Sequence, residues 1–118
     1  MPLIVIAEDE FLIADLLTII LEDAGYEVAS ASHGRAALAL VRDKRPALVI
    51  TDYMMPLMTG LELAQAMRAD GDLAHIPVIL VSGAQGSIGR AHPDVFEAVL
   101  DKPYNEKKLL ETVSRLLS

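Results

Sequence analysis

Five polar residues stand where short apolar runs end: Glu8 and Asp9 follow LIVIA, Asp52 follows LVIT, Ser82 follows VILV, and Lys102 follows AVLD. Taken singly, each has a plain structural reading. Asp9 would cap a helix starting near Glu10, Glu8 would be a solvated strand end, Ser82 a turn serine, Lys102 a surface lysine beside Asp101, and Asp52 a turn former ahead of Pro56 and Gly60. Taken together, they can do chemistry. Two unit charges about 4 Å apart repel by on the order of 4 kcal/mol at an effective dielectric near 20, so three gathered carboxylates need positive charge among them. Glu8, Asp9 and Asp52 contribute three negative charges and Lys102 one positive, leaving a deficit that one divalent ion neutralises. An all-oxygen donor set with no His or Cys suits Mg²⁺, which keeps several waters and takes one or two carboxylates. A carboxylate beside Mg²⁺ and a lysine can act as nucleophile toward a phosphoryl group, because the cations offset charge on the transferring oxygens. Ser82 adds a hydroxyl donor.

For these residues to meet, the runs that precede them must be strands pointing one way. Leu3 to Ala7, Glu27 to Ala31, Leu48 to Thr51, Val78 to Val81 and Ala98 to Leu100 read as strands, several of them apolar on both faces as covered parallel strands require. Helical patterns at about 11 to 24, 33 to 44, 60 to 69 and 105 to 117 alternate with them. Gly25 closes the first helix and Thr59-Gly60-Leu61-Glu62 opens the third as a capping box. The fourth connection, SGAQGSIGRAHPDVFEA, carries three glycines and a proline, which leaves room only for a short or irregular helix. The alternation implies an α/β fold, a doubly wound five-stranded parallel sheet with helices on both faces. In such a sheet ligands bind at the carboxyl edge, where the five polar residues fall.

The remaining composition narrows the function classes. A chain of 118 residues, 53% hydrophobic, fits one domain over residues 1–118. Without cysteine it has no disulfide or thiolate metal site, and a cytoplasmic location is expected. The apolar stretch from Phe11 to Leu21 is broken by Asp15 and falls short of the roughly 18 residues a membrane span needs. A net charge of -7, five aromatics and no basic stripe oppose nucleic-acid binding. Residues 1–34 hold seven acids and no Lys or Arg, so a cation is the expected ligand. His33, His75 and His92 lack metal-ligand spacing and read as surface histidines near loops, while Gly83, Gly86 and Gly89 match neither a Rossmann nor a P-loop pattern. Met54, Met55 and Met58 read as loop packing.

The segments AEDE, ITDYMMPLMTG, VSG and DKP, in this order and at this spacing from Leu3 to Leu117, resemble the successive signatures of the response-regulator receiver domain of two-component signalling. The resemblance implies the strand order 2-1-3-4-5 and assigns roles. Asp52 matches the phosphorylated aspartate, Asp9 the direct Mg²⁺ ligand, Glu8 a ligand acting through water, and Met54 the residue whose backbone carbonyl joins them. Ser82 matches the hydroxyl residue that turns toward the phosphoryl group, Lys102 the lysine that pairs with it, and Pro103 the proline preceded by a cis bond.

Three departures concern switching and output. Val99 stands where the family usually places an aromatic, Gly83 where a small residue, often Ala, is usual, and the fourth connection is short and glycine-rich. They imply a signal that passes from Ser82 through residues 83 to 95. The resemblance further implies a single-domain regulator that takes its phosphoryl group from a sensor histidine kinase or a histidine phosphotransfer protein. It would catalyse only its own phosphorylation and dephosphorylation, and signal to a downstream protein target by contact or onward phosphotransfer. Two alternatives remain at this point: a phosphorylation-independent adaptor, which would normally lose part of the acidic set or the lysine, and a haloacid-dehalogenase-type phosphatase, whose usual second Asp is here Met54.

Overall fold

The computed structural model describes residues 1–83 and 86–118. In chain order it contains β1 (Leu3–Ala7), α1 (Phe11–Asp23), β2 (Glu27–Ala31), α2 (Gly34–Lys44), β3 (Leu48–Asp52), α3 (Gly60–Ala69), β4 (Val78–Ser82), α4 (Gly86–Arg90), β5 (Ala98–Asp101) and α5 (Glu106–Leu117). The strands form one parallel sheet in the order β2-β1-β3-β4-β5. Strands 3, 4 and 5 each run one residue beyond the apolar run. Asp52 and Ser82 stay in the ladder opposite Val81 and Asp101, so these polar side chains are held by sheet backbone rather than by loops.

Strand side chains alternate between two cores. Val5, Ala7, Val49, Val78 and Leu80 face α2 and α3, where Ala37, Leu38, Val41, Leu63, Ala64 and Met67 cover them. Ile4, Ile6, Leu48, Ile50, Ile79 and Val81 face α1 and α5, meeting Leu17, Leu21, Leu109 and Val113. Each fully buried Ile or Leu stabilises the sheet by roughly 1.5–3 kcal/mol before entropy is counted. Both faces are therefore closed, and the polar ends of the strands emerge only at the rim.

Caps fix where each helix begins and ends. Gly25 takes a φ of +97°; its N–H donates to the Glu22 carbonyl at 3.0 Å while Tyr26 N–H donates to Leu21 at 3.1 Å, the paired bonds of a Schellman ending. At α3 the Thr59 hydroxyl accepts from Glu62 N–H at 3.1 Å and the Glu62 carboxylate accepts from Thr59 N–H at 2.9 Å. His33 is more than a surface histidine: its Nδ1 accepts from Ala36 N–H at 3.2 Å and caps α2. Asp9 does not cap α1, because the N-cap is Glu10 and no side chain bonds there. That removes its structural alternative. Helix α4 has five residues, as the glycines required, and Ala84 and Gln85 of the segment before it lie outside the described residues.

Candidate functional site: an acidic cluster with a lysine

Parallel pairing brings the ends of β1, β3 and β5 to one rim, and with them the acids. One carboxylate oxygen each from Glu8, Asp9 and Asp52 lies within 4.8 Å of the others. The Lys102 Nζ stands 3.6 Å from Glu8 Oε1 and 3.6 Å from Asp52 Oδ2, an ion pair with each. Asp9 is exposed, Asp52 half-buried and Glu8 buried. Lys102 is itself positioned by the sheet edge, since its N–H donates to the Ser82 carbonyl at 2.8 Å. The bond between Lys102 and Pro103 is cis.

Burial controls the electrostatics. Desolvation pushes the Glu8 carboxyl from 4.5 up to about 7. The Asp52 charge pushes the same way, while the Glu10 N–H, 3.1 Å from Glu8 Oε2, and the Lys102 ammonium oppose it. The Tyr104 phenol is raised as well, first by burial and then by the charges of Glu8 and Asp52. Tyr104 follows β5 in the connection to α5 and packs against the core that faces α1 and α5.

The backbone around Asp52 is fixed from two sides. Its Oδ1 accepts from Tyr53 N–H at 2.9 Å, which leaves Oδ2 toward Lys102, and its carbonyl accepts from the Thr51 hydroxyl at 2.8 Å. Gly60 N–H donates to the Tyr53 carbonyl at 2.8 Å, and a Cβ on Gly60 would stand 2.3 Å from the Asp52 carbonyl oxygen. Only glycine fits there. The loop between β3 and α3 also contains Leu57 at a φ of +72°, exposed and left-handed, and Met54, whose side chain lies in solvent two residues after Asp52.

The other expected residues sit nearby. Ser82 is buried at the end of β4, one residue beyond Val81, the register partner of Asp52. Val99 is half-buried on β5 beneath α4: a Cβ on Gly89 would meet Leu80 Cδ2 at 2.5 Å and Val99 Cγ2 at 2.9 Å. Gly83 is exposed, with open space where a Cβ would stand. Four of the expected residues, Glu8, Asp9, Asp52 and Lys102, thus form one contact set. Gly60 and Thr51 join them through the Asp52 backbone without having been singled out for it. Gly60 read as a loop and helix-start residue because its contact is with a backbone eight positions earlier.

The donor chemistry suits a small hard cation. At metal–oxygen distances of about 2.1 Å, an octahedral ion sets its donors roughly 3 Å apart when adjacent and 4.2 Å apart when opposite. Oxygens within 4.8 Å of one another match that scale, with water completing the shell. No His or Cys is near enough to the cluster to favour a softer ion among the described residues.

Comparison with known proteins gives one answer. The family described as response regulator receiver domain matches residues 4–114. The polar-differentiation response regulator DivK of Brucella anthropi is 34% identical over 116 residues, covering 97% of this chain and 94% of the relative. Among solved structures, the signal receiver domain of a signal transduction histidine kinase from Syntrophus aciditrophicus is 33% identical with a TM-score of 0.91, over 99% of this chain and 90% of its own. The chemotaxis response regulator CheY4 of Vibrio cholerae is 31% identical with a TM-score of 0.90, over 99% of each chain.

Proposed function

The chain belongs to the response regulator receiver domain family, and from that premise we propose that Asp52 is its phosphoacceptor, with Mg²⁺ held at Glu8, Asp9, Asp52 and the Met54 carbonyl. The observation that carries this reading is the Lys102 ammonium shared at 3.6 Å between Glu8 and Asp52. It marks Asp52 Oδ2 as the carboxylate oxygen beside a fixed cation. That oxygen attacks the phosphorus of a phosphohistidine in line, the O–P bond forms as the P–N bond breaks, and the histidine leaves with the bonding pair. Lys102 then pairs with the transferred phosphoryl oxygens, and the Ser82 hydroxyl donates to one of them. When bound, Mg²⁺ supplies further positive charge to the same oxygens. Attack of water on phosphorus later regenerates the carboxylate and releases phosphate.

Receiver domains are signalling proteins, and the family works with histidine kinases and downstream targets. In this chain the phosphodonor is a sensor histidine kinase or a histidine phosphotransfer protein, and the signal leaves by protein contact or onward phosphotransfer. A cytoplasmic site of action accords with this role; among the described residues no helix is long and apolar enough to cross a membrane. The complete set of acids and lysine favours this reading over an adaptor. Met54, where a dehalogenase-type phosphatase has a second aspartate, opposes that alternative.

The test uses a small-molecule phosphodonor with Mg²⁺ and mass measurement of the intact protein. One phosphoryl group is expected on the native protein and none on Asp52→Asn. Labelling retained in that variant would place the acceptor elsewhere, and no labelling of the native protein would favour the adaptor.

A further inference from the structure

We propose that the free edge of β2 pairs with the β2 of a second copy of this chain, so that two sheets join across a twofold axis. This inference does not rest on the chemistry at Asp52. β2 is the end strand of the sheet, and its inner backbone groups are engaged by β1: Glu27 N–H donates to the Pro2 carbonyl at 3.0 Å, and the Ala31 carbonyl accepts from Glu8 N–H at 3.1 Å. In a parallel ladder alternate residues turn to alternate sides, so Val28 and Ser30 present their N–H and C=O groups outward. Edge strands are ordinarily blunted by Lys, Pro, a bulge or a covering element. β2, with the sequence EVASA, has no Pro, Gly, Lys or Arg, pairs with β1 without a bulge, and carries its single charge, Glu27, at its start.

The small residues and the charges fit a second copy in particular. In antiparallel pairing centred on Ala29, Val28 of one chain and Ser30 of the other exchange both of their hydrogen bonds, and the two Ala29 residues meet where Cα atoms come to about 4.5 Å, a spacing that suits small side chains. Helix α2 runs back along β2 and packs over both β1 and β2. With strands about 4.8 Å apart, the same axis sets the two α2 helices antiparallel and roughly 10 Å apart, an ordinary packing distance. From the turn at Ser32 and His33, Ala29 lies roughly 10 Å down the strand and Ala39 roughly 9 Å down the helix, so both fall near the axis. Ala39 is exposed, in a groove that α2 forms beside Ala31. Arg35 stands four positions before Ala39 and Asp43 four after, so each Arg35 faces Asp43 of the other copy. Both are exposed; among the described residues Arg35 forms no ion pair, and Asp43 has only its neighbour Lys44 at 3.9 Å. An unrelated strand has no reason to reproduce this match. On the other side of β2, Asp15 and Glu22 of α1 repel their counterparts, which keeps the pairing reversible.

The test is sedimentation velocity on the intact chain from micromolar to millimolar concentration, with residue-resolved hydrogen exchange. A reversible dimer is expected, and exchange at the amides of Val28 and Ser30 should slow as concentration rises. Ser30→Pro removes an outward N–H and no bond to β1, as edge positions tolerate, and should weaken association tenfold or more. Arg35→Asp and Asp43→Arg should each weaken it several-fold, and the two together should restore it. An acid at the start of α2 and a base at its end suit the helix dipole, so the charge variants should keep the native melting temperature and the native labelling of Asp52. A monomer at every concentration, a dimer indifferent to Ser30→Pro, or a charge swap that fails to restore association would overturn the proposal. So would a dimer that protects another helix and leaves the amides of Val28 and Ser30 unchanged.

Discussion

Glu8 carries the most strongly perturbed carboxyl of the acidic cluster, and its titration sets a pH dependence of known sign. Its carboxyl titrates near 7 in the folded chain against an ordinary 4.5, so between those values the folded state holds a proton that the unfolded state has released. Without divalent ion, the contribution of Glu8 to stability is therefore fullest below about pH 4.5, falls as pH rises toward 7 and levels off above it, by on the order of 3 kcal/mol at most. Urea midpoints across this range should show the stability of the native protein falling relative to Glu8→Gln as pH rises; parallel profiles would mean that Glu8 does not titrate in this way. Gly60 gives a second residue-level expectation. Because its Cβ would overlap backbone rather than a movable side chain, Gly60→Ala should cost about 1–3 kcal/mol and slow labelling of Asp52, whereas Gly71→Ala, with nothing within 4 Å, should do neither. Glu8, Asp9, Asp52 and Lys102 were legible in the sequence because each follows an apolar run. Gly60 was not, since nothing local distinguishes a glycine that opens a helix from one that backs an aspartate.

At the scale of elements, the legible features were those with local causes. The α1 ending at Gly25, the capping box at Thr59 and the shortness of α4 follow from residues within a turn of the event. The cap at His33 did not announce itself, because histidine is an uncommon choice at that position. Gly89 is one of the three glycines that keep the fourth connection's helix short, and the structure adds a packing reason for it. Helix α4 lies so close to β4 and β5 that Leu80 and Val99 fill the space a larger residue at 89 would need, and Arg90 at its end pairs with Asp101 beside Lys102. Val99 is thus part of the seat of α4, in the place where an aromatic would be expected to swing. Alanine at 89 gains up to about 1 kcal/mol in helix propensity, so the two effects oppose each other and the outcome is informative. Gly89→Ala is expected to speed hydrogen exchange in residues 86–95, and adding Val99→Ala to restore protection. Slower exchange in the single variant would show that propensity wins and that the seat is loose.

Across the whole molecule, the two ends of the sheet do different work. The carboxyl rim gathers like charges, which strains the fold, while the amino ends of β4 and β5 are tied by Arg68 from α3. Its guanidinium donates to the carbonyls of Ile76 at 2.7 Å, Val95 at 2.8 Å and Ala74 at 3.3 Å, and to both Glu97 oxygens at 2.7 and 2.9 Å. Glu97 in turn accepts from Val78 N–H at 3.2 Å, so one planar cation joins α3 to the starts of two strands. This pair is not legible from the sequence, because its members lie 29 positions apart and read as ordinary surface charges. Arg68→Ala should cost about 2–3 kcal/mol, because charged and carbonyl acceptors lose their donor, and Arg68→Lys should recover little, because an ammonium cannot span the same fork. Divalent ion acts at the opposite rim: Mg²⁺ at about 100 times its dissociation constant should add roughly 2.7 kcal/mol by linkage to the folded state. Effects at well-separated sites add to within about 0.5 kcal/mol. Urea titrations of native protein and Arg68→Ala, each with and without Mg²⁺, should then show the same ion increment in both. A smaller increment in the variant would mean that the tie at the amino ends of β4 and β5 helps to hold the acids in register, and that loosening one end of the sheet is felt at the other.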